Sequence, residues 1–169
     1  MARSEMEDVT AKALGKGGIL VKLYFDMHSK EQSGLQPILA DLINNRLLKS
    51  KGVIYGFGSI EEPIFDRDMY TTTATVTVLV DSLEDLAGVV FMFAPAAIEV
   101  MKPEMQYVIK QSELQDLLLS LSTISANYSE HILKNTMSEE EFEKVRQDLK
   151  SREELGRKIL KKPGGAEGA

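Results

Sequence analysis

YTTTATVTVLVDSLEDLAGVVFMFAPAAIEVMK, residues 70–102, decides the fold, because a strand, a helix and a second strand follow one another in it without interruption. Tyr70, Thr72, Ala74, Val76, Val78 and Val80 alternate with Thr71, Thr73, Thr75 and Thr77, which sets an apolar face against a threonine face. Its β-branched residues are stiff at χ1 and suit a pleated, half-buried surface. Asp81-Ser82 ends the strand, and Ser82 with Asp85 three residues on forms a capping box with Asp in place of Glu. Leu83, Leu86, Ala87, Val90 and Phe91 then recur at helical spacing until Pro95. Residues 97–101 read as a short strand, with Ile98 and Val100 inward and Glu99 and Met101 outward.

Upstream lies the first half of the same layered unit. In residues 19–27, Ile19, Val21, Leu23, Phe25 and Met27 share one face, and Lys22, Tyr24 and Asp26 the other. A polar loop, 28–34, leads to a helical stripe of Leu35, Ile38, Leu39, Leu42, Ile43 and Leu47, with Pro37 in the first turn, where a missing N–H costs little. Residues 53–64 are a second strand, with Val53, Tyr55 and Phe57 on one face, and Pro63 marks it as an edge. Residues 65–69 form the turn back. The expected fold is α+β: a ferredoxin-like βαββαβ sandwich, its four-stranded antiparallel sheet ordered 4-1-3-2, with both helices on one face.

Downstream the character changes. Ser112 with Gln115 forms a capping box, and Leu114, Leu117, Leu118, Leu121, Ile124, Tyr128 and Ile132 recur at three- and four-residue spacing to about residue 135. This helix has more apolar surface than one small sheet can cover, so it either packs within the chain, with the last helix folding back, or pairs with its copy. In the second reading Leu114, Leu117, Leu118, Leu121, Ile124 and Tyr128 are expected to mediate homodimerisation. A break at 135–137 precedes an exposed, partly frayed helix at 139–162 capped by Ser138 and Glu141. The expected organisation is a flexible segment at 1–18, a sandwich domain at 19–110, a helical extension at 111–162 and a disordered tail at 163–169.

Composition excludes several chemistries. The 169 residues include no cysteine, so disulfides, thiolate zinc sites and cysteine nucleophiles are absent. The first residues carry acids where an export signal would be apolar, and the longest apolar run is too short to span a bilayer, so a cytoplasmic protein is expected. Residues 1–137 carry the whole net charge of −6 and hold no basic block, which argues against a nucleic-acid partner. Gly15-Lys16-Gly17-Gly18 precedes a strand and has no hydroxyl residue after its lysine, so it is not a phosphate loop. No cofactor motif is present.

The open sheet face is the candidate ligand site: Lys22, Tyr24 and Asp26, His28 at the strand end, Thr73 and Thr75, and Glu99. If Asp26, His28 and Glu99 converge, they form an acid/base or metal-dependent centre. The simpler reading pairs Lys22 with Glu99 across strands, leaving Asp26 and His28 to mark a strand end. Glu61, Glu62, Asp66 and Asp68 form an acidic hairpin that matches no calcium-loop spacing. No G-x-S-x-G nucleophile elbow is present, and no metal site is assigned. The expected function is a non-enzymatic, dimeric interaction or small-effector-binding domain.

The stretch VTVLVDSLEDLAGVVFMFAPAAIEVMKPE, residues 76–104, resembles ferredoxin-like regulatory modules. It is similar to the extension that follows WYL domains in bacterial regulators, with its strand, aspartate-capped helix and short strand before a proline. ACT domains share this topology. The resemblance implies ligand sensing or dimerisation. The chain also resembles an uncharacterised archaeal conserved family.

Overall fold

The computed structural model describes residues 5–161. It is a mixed α/β structure whose five-stranded antiparallel sheet carries helices on both faces. In chain order the elements are α1 (Glu5–Leu14), β1 (Ile19–Ser29), α2 (Leu35–Asp41), β2 (Val53–Ile60), β3 (Ile64–Asp66), β4 (Met69–Val80), α3 (Leu83–Phe93), β5 (Ala97–Lys102), α4 (Gln111–Thr136) and α5 (Glu139–Lys161). The strands lie in the order β2-β4-β1-β5, and β3 pairs with β4 as well. The described residues up to Ser120 belong to one compact unit and those from Leu121 to another, so the division falls within α4.

The core lies between the sheet and the α2 and α3 helices. Val21, Leu23 and Phe25 of β1 meet Ala74, Val76 and Val78 of β4, with Leu39, Ile43, Leu47, Leu86 and Val89 above them. The buried residues of the α2 region, Leu35, Leu39, Ile43 and Leu47, are four apart. A 3.6-residue helix would rotate them off the sheet, and the chain instead widens to a π-turn at Leu42–Arg46 before a 3₁₀ turn at Leu47–Lys49. Ile38, expected in this stripe, is exposed. α3 begins as its capping pattern requires: Ser82 Oγ accepts from the Asp85 amide at 3.1 Å and donates to Asp85 Oδ2 at 2.7 Å.

Several expectations are corrected. The segment 1–18 was expected to be flexible, yet residues 5–14 form α1, and its Ala13 is buried. The glycine run ends this helix: Gly15, Lys16, Gly17 and Gly18 all send their amides back to carbonyls of residues 11–14, and Gly17 has φ 99°. A Cβ on Gly18 would lie 2.8 Å from the Ala13 carbonyl oxygen and 3.0 Å from that of Val80, so only glycine fits there. Leu79, whose side chain leaves the core face, is nonetheless fully buried. Beside it Thr10 Oγ1 bonds the Tyr55 hydroxyl at 2.8 Å, and Tyr55 pairs with Leu79 in register. α1 therefore covers one end of the face expected to be open.

The second strand is interrupted. Its register shifts between Val53 and Tyr55, so Val53 packs into the core while Tyr55 and Phe57 turn to the opposite face. All three were expected to share a face. The chain leaves β2 at Ile60, and residues 64–66, read as part of a strand end and a turn, return as β3 against Met69–Thr71. This is the fifth strand. Arg67 and Asp68, with φ 46° and 66°, make the two-residue turn without a glycine. Ile98 and Val100 pair opposite Leu23 and Val21 as inward residues would, but they stay 43% and 58% exposed.

In the extension, α4 is capped by Glu113, whose carboxylate accepts the Lys110 amide at 3.1 Å, and not by the Ser112–Gln115 pair. Ser138 and Glu141 do cap α5, and their hydrogen bonds hold the Glu141 carboxyl below the usual carboxylate range. Within this second unit, Arg146 bridges Glu143 at 2.9 Å and Glu130 at 3.7 Å. The expected tail at 163–169 lies outside the described residues.

Two substitutions test these contacts in urea unfolding. Leu79→Ala is expected to cost about 2–5 kcal/mol, as for a packed core leucine; a cost near zero would mean that α1 does not seal that face. Ser82→Ala is expected to cost about 1 kcal/mol through the lost cap, and an unchanged midpoint would refute the capping role.

Candidate functional site

All seven expected ligand residues lie on one sheet face, set in rungs by the pairing of β1 with β4 and β5. Moving out from α1, the rungs are Thr77, Lys22 and Glu99, then Thr75 and Tyr24, then Thr73 with Asp26, and Thr71 with His28. Lys22 Nζ lies 3.4 Å from Glu99 Oε2, to which the Tyr24 hydroxyl also donates at 3.2 Å. Thr73 Oγ1 donates to Asp26 Oδ1 at 3.0 Å, and His28 Nδ1 bonds Thr71 Oγ1 at 2.9 Å. Lys22, Tyr24, Asp26, His28, Thr73 and Glu99 thus each have a cross-strand partner, and partly exposed pairs of this kind contribute at most about 1 kcal/mol each.

Asp26, His28 and Glu99 do not form one centre. Glu99 stands opposite Lys22, four residues from Asp26 and six from His28 along β1. At about 3.3 Å per residue these separations are roughly 13 and 20 Å. Among the described residues, no three His, Asp or Glu side chains are grouped to hold a metal ion. The acidic hairpin follows the same pattern, and Asp66 pairs only loosely with Arg67, at 3.9 Å.

Two aromatic residues of this face were not among the expected site residues. Tyr55 and Phe57 stack with ring centres 6.3 Å apart. The bulge that turns them there adds one residue out of phase, and alternation alone conceals it. With Tyr24 and the threonines they make the face a shallow surface of aromatic, hydroxyl and paired charged groups, and not a cavity.

The concave features lie elsewhere. A cleft of about 410 Å³ runs along the glycine turn, between Leu14–Gly18 and the segment from Pro103 to Lys110. The turn has no free amide to offer an anion, since all four N–H groups are bound within the α1 cap. Tyr107 closes one wall: its ring packs on the core and its hydroxyl donates to the Gly17 carbonyl at 2.9 Å. Burial pushes the Tyr107 phenol above its ordinary range, and the Glu113 carboxylate adds to the shift. A second hollow of about 290 Å³ lies between the π-turn residues Ile43 and Asn44 and the glycines of β2.

The elements define an α+β domain built on a single antiparallel sheet, with a polar, internally paired open face. Within that class the chain belongs to the MJ0538 family, whose family model matches residues 20–159. The match carries no link to ACT domains or to WYL-domain extensions. Searches of curated proteins and of solved structures give no match. No described helix is long and apolar enough to cross a membrane.

Because the folded state raises the Tyr107 pKa, its neutral phenol contributes stability that is complete below pH 10 and fades as pH rises through the folded value. Urea midpoints measured from pH 8 to above pH 10 are expected to fall less steeply in Tyr107→Phe than in the parent. Parallel slopes would show that Tyr107 does not govern the alkaline limb.

Proposed function

We propose that this chain is a non-enzymatic, ferredoxin-like interaction domain that forms a homodimer in the cytoplasm and takes a partner or small effector on its open sheet face. In this reading β3 is a hairpin added to the βαββαβ plan, and β1, β2, β4 and β5 are its four principal strands.

One observation carries the proposal. α4 runs for 26 residues and buries none of them. Leu114, Leu118, Leu121 and Tyr128 are between 40% and 58% exposed, and Leu117 and Ile124 are half-buried. An apolar stripe of that length has a large hydrophobic incentive to find cover, at about 25 cal/mol per Å² removed from water. A second copy supplies it by two-fold pairing of like helices. The open face supports the binding role: Tyr24, Tyr55 and Phe57 offer ring surface, and Lys22, Glu99, Asp26 and His28 offer polar groups that a ligand can recruit from their strand partners. The resemblance to regulatory modules points the same way.

Light scattering on the full chain tests the dimer. The parent is expected to associate, and Leu118→Glu with Leu121→Glu is expected to abolish the α4 contact without changing the circular dichroism spectrum. Association unaltered by the two substitutions would remove α4 from the interface.

A further inference from the structure

We propose that the free edge of β2 is a second self-association surface, onto which the β2 strand of another copy adds antiparallel across a two-fold axis. The inference rests on the reading that the domain self-associates, and it adds a contact that shares no residue with α4.

β2 pairs with β4 along one side, and its other side pairs with no strand among the described residues. That side presents a row of backbone donors and acceptors, which natural sheets guard with charge, proline, short length or cover. The opposite edge is guarded: β5 carries Glu99 and Lys102 and runs into Pro103. β2 is VIYGFGSI, with no charge and no proline. Its one guard is the bulge near Ile54, after which Tyr55–Ile60 pair regularly with β4, leaving a straight edge of about 20 Å. Phe57 on this edge and Ile54 at the bulge are 53% and 41% exposed.

The flanking charges choose the occupant and its direction. Lys49 and Lys51 precede the strand, Glu61 and Glu62 follow it, and all four are exposed. Antiparallel self-pairing lays the basic flank of each copy against the acidic flank of the other, whereas parallel pairing sets like against like. A register centred on Gly56 brings Lys51 opposite Glu61 of the second copy and Tyr55 opposite its Phe57, an aromatic cross-strand pair. The uncharged middle lets the axis pass without opposing like charges. Any other strand would need the same basic, neutral, acidic order, which this chain already contains. The existing partner of Lys51, Asp85 at 3.7 Å, is a loose pair on a lysine side chain 87% exposed and does not prevent this use.

The test compares the full chain with Glu61→Lys/Glu62→Lys and with a four-site variant that adds Lys49→Glu and Lys51→Glu. Association is read by sedimentation, and the β2 amides by hydrogen exchange. Reversing one flank is expected to weaken association at least about tenfold and to speed exchange of the β2 amides that point away from β4. Reversing both flanks restores opposite-sign pairing and is expected to recover both. The proposal is overturned if one-flank reversal changes neither reading, or if the four-site variant stays folded by circular dichroism but dissociated. If Leu118→Glu/Leu121→Glu removes all association and the β2 amides exchange fast even in the parent, the α4 contact stands and this one falls. Flank-sensitive association that survives those α4 substitutions keeps the β2 contact; it keeps the α4 contact as well if the assembly becomes smaller, and ends it if the assembly is unaltered.

Discussion

Eleven consecutive residue pairs join β1 to β4, from Ile19 opposite Val80 to Ser29 opposite Tyr70. The rest of the sheet domain depends on that register. Side chains alternate with period two, so a slip of one residue would send Val21, Leu23 and Phe25 to the solvent face and bring Lys22, Tyr24 and Asp26 into the core. The same pairing gives α2 and α3 their apolar floor, gives β5 its place beside β1, and lines up the threonines of β4 with the polar residues of β1. Core and candidate site are therefore two readings of one ladder.

The two faces meet their surroundings differently. On the core face the helices press on a continuous layer of valine, leucine and isoleucine, and the α2 segment widens its turn to keep residues four apart on the sheet. On the other face α1 seals one end over Leu79, and beyond it the polar groups answer one another across the strands. A carboxylate held between a lysine and a phenol, and an imidazole tied to a threonine, are built into a surface.

Much of this was legible because alternation and helical spacing are strong signals where they run unbroken. Residues 19–27 and 70–80 announce their faces, and Ser82 with Asp85 announces α3. What was hidden involves short-range exceptions. The apolar positions of α1 are Met6, Val9, Ala11, Ala13 and Leu14, of which Ala13 alone is buried, and a single helix of 10 residues is marginal without tertiary contacts. Its clearest marker was the glycine run, which reads equally as a loop and as a helix cap. The turn expected at 65–69 is present, but the three-residue strand β3 before it was hidden, since Arg67 and Asp68 carry no Asn-Gly signal that would confine the turn to two residues. At the site, the positions of Lys22, Tyr24 and Glu99 followed from strand parity. The separation of Glu99 from His28 did not, because it depends on where β5 ends along β1.

The bulge at Ile54 gives β2 a property unlike any loop in the chain. Residues 61–63 join two strands at the surface, and a change of length there is absorbed locally. At Ile54 the count of residues is itself the information, since one extra position decides which side of the sheet each later residue occupies. Without it, Tyr55 and Phe57 would be driven against Leu48 and Val76, and Gly56 and Gly58 would leave the helix side, where an added Cβ has no room beside Leu48 or the Thr75 carbonyl. A residue inserted or deleted near Ile54 is therefore resisted by the packing on both sides of the sheet, as one at 61–63 is not.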